Sequence, residues 1–130
     1  MHYAASKGHV EVLRKLAEAG ADVDVADKTG STPLHRAASQ GRAEMIRALA
    51  EGLEGPTGTA RCDIEARNRV RQTPLVVACE AGQDEAAVAL ARAGADVGAE
   101  DAEGNGVATL APKLAPVLRS IRQGDDGMMF

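Results

Sequence analysis

Residues 32–41 read Thr-Pro-Leu-His-Arg-Ala-Ala-Ser-Gln-Gly, and versions of this stretch recur on either side of it. Upstream, Met1-His-Tyr-Ala-Ala-Ser-Lys-Gly8 aligns with Leu34-His-Arg-Ala-Ala-Ser-Gln-Gly41 at an offset of 33 residues. Downstream, Thr73-Pro-Leu-Val-Val-Ala-Cys-Glu-Ala-Gly82 follows at an offset of 41, one period plus eight extra positions. Gly20-Ala-Asp-Val23 returns as Gly94-Ala-Asp-Val97 after 74 residues, so the frame is restored beyond the insertion. A period of this length marks a chain built from stacked supersecondary units.

The residues of one period dictate two short helices and a turn. Thr32 suits an N-cap, and Pro33 suits the first helical position, where a missing N–H costs nothing. Leu34, Ala37 and Ala38 give the first helix a small apolar face, and Gly41 ends it. Apolar residues at helical spacing then predict a second helix: Val10, Leu13, Leu16 and Ala17 in one unit, Met45, Ile46, Leu49 and Ala50 in the next. Gly20 and Gly94 are placed to close such helices as C-terminal caps. Residues 21–31 and 95–105 form projecting β-turn fingers, with Gly30 and Gly104 at the return. One unit cannot bury its apolar face alone, so neighbours must stack, at about 25 cal/mol per Å² of apolar surface covered.

Composition agrees with thin layers of small helices. Aromatic residues make up 2% of the chain, with one Tyr, one Phe and no Trp, so Ala and Leu must fill the core. The net charge of −4 has the wrong sign for binding driven by phosphate neutralisation, so nucleic acid is not an expected partner. No stretch approaches the roughly 20 apolar residues of a membrane helix, and no signal peptide is evident. Cys62 and Cys79 lack a Cys-x-x-Cys spacing and are expected to be reduced thiols of a monomeric cytoplasmic or nuclear protein.

The 33-residue period with Thr-Pro-Leu-His and Gly-Ala-Asp-Val resembles the ankyrin family over nearly the whole chain. The resemblance implies an all-α solenoid of helix-turn-helix units with β-turn fingers, covering residues 1–123. The repeats are expected at about 1–30, 31–71 and 72–104. A loop inserted at 53–61, rich in Gly, Pro and Thr, is read as flexible. Residues 105–123 form a degenerate C-terminal cap in which Pro112 and Pro116 interrupt the helices and 117–122 add a turn or two. Residues 124–130 are expected to be a disordered tail. Met1 holds the Leu position of the motif, so the chain is expected to belong to a longer array, with surface of the Ala5, Val12 and Leu16 type uncovered.

Catalysis is not expected. His2 and His35 have no Ser, Cys or carboxylate partner at a recognised spacing, and in this family the motif histidine bonds backbone of the neighbouring turn. Three scattered His and two unpaired Cys do not make a metal site, and no cofactor is implied. Cys79 takes the small packed position of Ala5 and Ala38, and Cys62 that of Ala21.

Ankyrin stacks curve, and the resemblance implies that a protein partner is held on a concave face of finger tips and first helices. The repeat register assigns to it Tyr3, Ser6 and Lys7; Arg36, Ser39 and Gln40; Val77, Glu80 and Ala81. From the fingers come Asp27, Lys28 and Thr29; Asn68, Arg69, Val70 and Arg71; Asp101, Ala102 and Glu103. Arg61, Arg67, Arg69 and Arg71 crowd the middle finger, whereas residues 80–103 carry seven acids against Arg92 alone. A basic stripe beside an acidic one predicts a partner whose own charge alternates to match.

The order of the motifs and the degenerate ending also look like the later repeats of the gankyrin group, proteasome regulatory-particle assembly chaperones, in their plant form. That narrower resemblance implies reversible capture of a proteasomal ATPase C-terminal domain. Tyr3, Lys7, Lys28, Arg36, Gln40, Arg69, Arg71 and Glu80 are the candidate contacts. The alternative is an ankyrin adaptor in signalling or transcription.

Overall fold

The computed structural model describes residues 1–123, in which eight helices follow the expected repeat and one hairpin lies between the second and third helix pairs. The first three units contribute the helix pairs α1 (His2–Lys7) with α2 (Val10–Glu18), α3 (Pro33–Ser39) with α4 (Ala43–Glu51), and α5 (Pro74–Glu80) with α6 (Asp84–Arg92). The strands β1 (Leu53–Gly55) and β2 (Gly58–Ala60) lie between α4 and α5, and α7 (Val107–Leu110) and α8 (Ala115–Gln123) end the stack. The expected tail, 124–130, lies outside the described residues.

Local chemistry sets the helix boundaries. Thr32 and Thr73 are extended N-caps whose hydroxyls accept from the amides of His35 and Val76 at 3.4 and 3.3 Å. Pro33 and Pro74 open the helices behind them. At the other end Gly41 takes φ 72, its N–H bonding Ala38 O while Arg42 N–H reaches back to Ala37 O. That pair of bonds satisfies carbonyls the helix would otherwise orphan, and it requires a left-handed residue. Gly20 and Gly94 close α2 and α6 in the same way.

First helices stack on first helices, α1 on α3 on α5 on α7, and second helices form a parallel row, α2 on α4 on α6 on α8. Between the rows runs one continuous core: Leu13, Leu34, Met45, Ile46, Leu49, Leu75, Leu90 and Leu118 are fully buried. Ala37, Ala38, Ala78, Ala86 and Ala87 are buried beside them, and their small side chains let the helix axes approach. Ala5, expected at an open face, is fully buried, because α1 turns it towards α3. Val12 and Tyr3 do remain open, at 48% and 71% exposure.

Two expectations need correction. The segment at 53–61, read as a flexible loop, forms an antiparallel hairpin pairing Leu53 with Ala60, Glu54 with Thr59 and Gly55 with Gly58. Leu53 is buried and seats β1 against α2. Gly52, at φ 105, makes the bend possible: a Cβ there would come within 2.5 Å of the Thr59 side chain. Pro116, read as a break, is instead the second residue of α8, in the first turn where a missing N–H is harmless. At α7 the lost Thr-Pro start has a steric reason. A Cβ at Gly106 would meet the Ala99 carbonyl oxygen at 2.9 Å.

Candidate docking face

The fingers are three copies of one turn. Asp27 Oδ1 accepts from the amides of Thr29 and Ser31, at 2.9 and 3.0 Å. Asn68 Oδ1 does the same for Val70 and Gln72, and Asp101 Oδ1 for Glu103 and Asn105. A short polar side chain bonding its own backbone two and four residues on is what nucleates such a turn. Adjacent fingers are joined through backbone, Arg69 N–H donating to Thr29 O at 2.9 Å and Ala102 N–H to Val70 O at 3.1 Å. The tips therefore form one hydrogen-bonded row.

Two histidines, His35 buried and His2 half-buried, tie that row to the first helices. His35 Nδ1 accepts from Thr32 N–H at 3.1 Å, which leaves the proton on Nε2 to donate to Gln72 O, 2.8 Å away in the next finger. His2 Nε2 makes the equivalent contact to Ser31 O at 2.7 Å. Burial lowers the pKa of His35, partly offset by the bond to Gln72, so the neutral ring is the folded form. The bonding is structural throughout.

The candidate contacts divide into free and engaged groups. Tyr3, Lys7, Lys28, Gln40, Arg69, Arg71 and Glu80 are exposed, and Arg36 is half-buried. The Lys7 ammonium lies 5.9 Å from the Tyr3 ring centroid, so these two form a unit on α1. Arg36 donates to Asp27 Oδ2 at 2.5 Å, which fastens α3 to the first finger. Burial disfavours the charged Asp27, but bonds from the Thr29 hydroxyl, Arg36 and two backbone amides hold its carboxyl well below the usual range. Glu80 accepts from the Gln72 side chain at 3.0 Å and braces the second finger's base. The structure joins Lys28 to Arg69 and Arg71 through the linked tips, while Tyr3 and Lys7 stand apart on α1.

Other clamps were not foreseen. Arg67 donates through Nη1 to Arg71 O and Glu100 O, both at 2.8 Å, locking the second finger to the third. At the finger bases Asp24 accepts from Asp63 N–H, and Glu65 from Asp96 N–H at 2.8 Å. Asp24 and Glu65 share a register position, the one available sequence signal for this ladder. Backbone partners leave no such trace for Arg67.

Among the described residues no three of His, Cys, Asp and Glu are grouped to hold a metal ion. Burial, with Asp24 nearby, pushes the Cys62 thiol up to about 12, and burial, with Asp84 nearby, takes Cys79 to about 11. Neither forms a thiolate nucleophile near neutrality. An open groove of about 720 Å³ between α2 and α4, lined by Val10, Val12, Arg14, Glu44, Arg47 and Glu51, lies on the second-helix row, away from the fingers. No helix of the described residues is long and apolar enough to cross a membrane.

Comparison with known proteins agrees with this geometry. The family model for ankyrin repeats (3 copies) matches residues 1–101. Over 80 residues, 62% of this chain, the sequence is 45% identical to protein phosphatase 1 regulatory subunit 12A of Mus musculus and of Rattus norvegicus. The Homo sapiens protein of the same name is 50% identical over 80 residues. The matched stretch covers 7% of the length of these relatives. They are regulatory subunits by name, and they lend no support to the narrower expectation of a proteasome assembly chaperone.

Proposed function

Because the chain belongs to the ankyrin-repeat family, a family of protein-interaction modules, we propose that it is the recognition module of an adaptor, docking a protein partner on its fingers and first helices. One observation carries this. Positions facing the core repeat from unit to unit, as with Leu34 and Leu75 or Ala37 and Ala78, whereas the exposed positions at the finger tips and at the ends of the first helices do not. Lys7, Gln40 and Ala81 share one such position, and Lys28, Arg69 and Ala102 another. A frame that repeats while its outward residues differ presents one extended surface with its own pattern of charge, which is how stacked repeats bind. The kinship to a phosphatase regulatory subunit makes the catalytic subunit of protein phosphatase 1 the first partner to test.

The assembly-chaperone reading rests on motif order alone, so a proteasomal ATPase C-terminal domain is the comparison arm. Immobilised chain is offered each purified protein. Saturable retention of the phosphatase, weakened when Lys28, Arg69 and Arg71 are changed to Glu, supports the adaptor reading. Retention of the ATPase domain alone returns the chaperone reading, and capture unaffected by the substitutions refutes the face. A reduced, cytoplasmic or nuclear setting fits both thiols.

A further inference from the structure

From the middle finger we infer that the partner segment gripped at the finger tips is a carboxylate-rich peptide, held by Lys28, Arg69 and Arg71. The inference rests on the adaptor reading and specifies its ligand chemistry.

Three features of the finger converge. First, Arg71 adopts φ 69, the one non-glycine with positive φ among the described residues. The same register position is Gly30 in the first finger and Gly104 in the third, at φ 78 and 82. The left-handed region is unfavourable for an ordinary L-residue, because it brings Cβ too close to the following carbonyl oxygen. Glycine would relieve that strain, so the fold itself does not call for arginine. Backbone strain held against a cheaper alternative points to function.

Second, the turn residue of the middle finger is Asn68, where its neighbours use Asp27 and Asp101. All three side chains accept the same two amide bonds, so the turn is served equally by amide or carboxylate. Asn68 removes one negative charge from the finger that carries the arginines, and the carboxylates nearest them, Glu100 and Asp101, belong to the third finger across the groove that Arg71 lines. Among the described residues the ion pairs are Glu11 with Arg14 and Asp27 with Arg36, so Lys28, Arg69 and Arg71 have no carboxylate within pairing distance. Arg36 and Arg67, by contrast, are committed to Asp27 and to backbone carbonyls.

Third, the patch has an edge. Glu100, Asp101 and Glu103 follow in the third finger, directly bonded to the second. An acidic segment is attracted over fingers one and two and repelled at finger three, which fixes its register. A polyanion such as nucleic acid, which gains by covering charge indiscriminately, is disfavoured by this boundary and by the net charge of −4. Guanidinium groups also match carboxylates in paired hydrogen bonds.

The test measures fluorescence anisotropy of labelled peptides on the full chain at low salt. A peptide of alternating Glu and Ser is expected to bind, and its Gln and Ser counterpart is not. Arg69→Glu with Arg71→Glu is expected to weaken the acidic peptide about tenfold, and Glu103→Lys to strengthen it. Arg92→Glu, on the second-helix row, is the control. Arg71→Gly separates function from structure: binding falls while the thermal midpoint holds or rises. Equal weakening by Arg92→Glu, tighter binding of a single-stranded DNA oligonucleotide, or an Arg71→Gly variant that loses stability but keeps binding overturns the inference. The phosphatase assay is run beside it. Phosphatase retention that the acidic peptide fails to compete removes this inference and leaves the adaptor reading intact. Peptide binding without phosphatase retention removes that partner and leaves the peptide site.

Discussion

At the scale of single residues, His35 shows how one side chain serves the local turn and the stack together. Its ring completes the cap of α3 and then reaches into the following finger. Replacing it by Ala leaves Thr32 N–H without a partner and takes from Gln72 O one of its two donors, the other being Asn68 N–H, at a cost of about 1–3 kcal/mol. Chemical denaturation of His35→Ala measures that loss. Its pH dependence follows from the lowered pKa. Below about pH 6.5 the unfolded histidine takes up a proton that the folded ring resists. The unfolded state then binds more protons, so stability is full above that pH and falls as pH drops towards the folded value. Denaturation at pH 7.5 and 5.5 is expected to show the decline, reduced in His35→Ala. The two cysteines give a simpler test. With their thiols raised to about 12 and 11, neither Cys62 nor Cys79 is expected to react with iodoacetamide at pH 8 until denaturant is added. Rapid labelling of the native chain contradicts this.

At the scale of elements, the outcome depends on whether each element's determinants are local. Thr32-Pro33 and Thr73-Pro74 are local signals, and both helices begin where they indicate. The glycine stops at Gly20, Gly41 and Gly94 are equally local. The hairpin at 53–60 was not legible, because its order comes from Leu53 settling against α2, a contact with a helix far upstream. Gly, Pro and Thr content describes the turn at Pro56 and Thr57 and says nothing of that anchor. Leu53→Ala is therefore expected to cost about 2–4 kcal/mol, as for a core leucine and unlike a loop residue. Hydrogen exchange at 54–59 is expected to speed up in the same variant. A loss below ~0.5 kcal/mol would show that the hairpin is not anchored. Pro116 taught the converse. A proline read as a breaker sits harmlessly in the first turn of α8, because its effect depends on which turn it occupies.

At the scale of the whole molecule, a linear stack turns separated variable residues into one surface. The sequence register placed Tyr3, Lys28, Gln40, Arg69, Arg71 and Glu80 at exposed positions of fingers and first helices, since the repeat fixes orientation at every equivalent site. It did not separate engaged from free groups. Arg36 and Glu80 carry charge in the sequence, but in the fold they brace finger one and finger two. Such pairings lie between units and carry no periodic mark. Stability should likewise be shared between neighbours, so Leu75→Ala in α5 is expected to loosen the helices on either side of it as well as its own. Amide exchange resolved by segment reads this out. Loosening confined to α5 would contradict a continuous core.

The most direct measurement is amide hydrogen exchange on the full chain, free and with the protein phosphatase 1 catalytic subunit bound. The docking face proposed here requires slowed exchange at 27–30 and 68–71 and along α1, α3 and α5. Protection confined to α2, α4 and α6, with the finger tips unchanged, would contradict it.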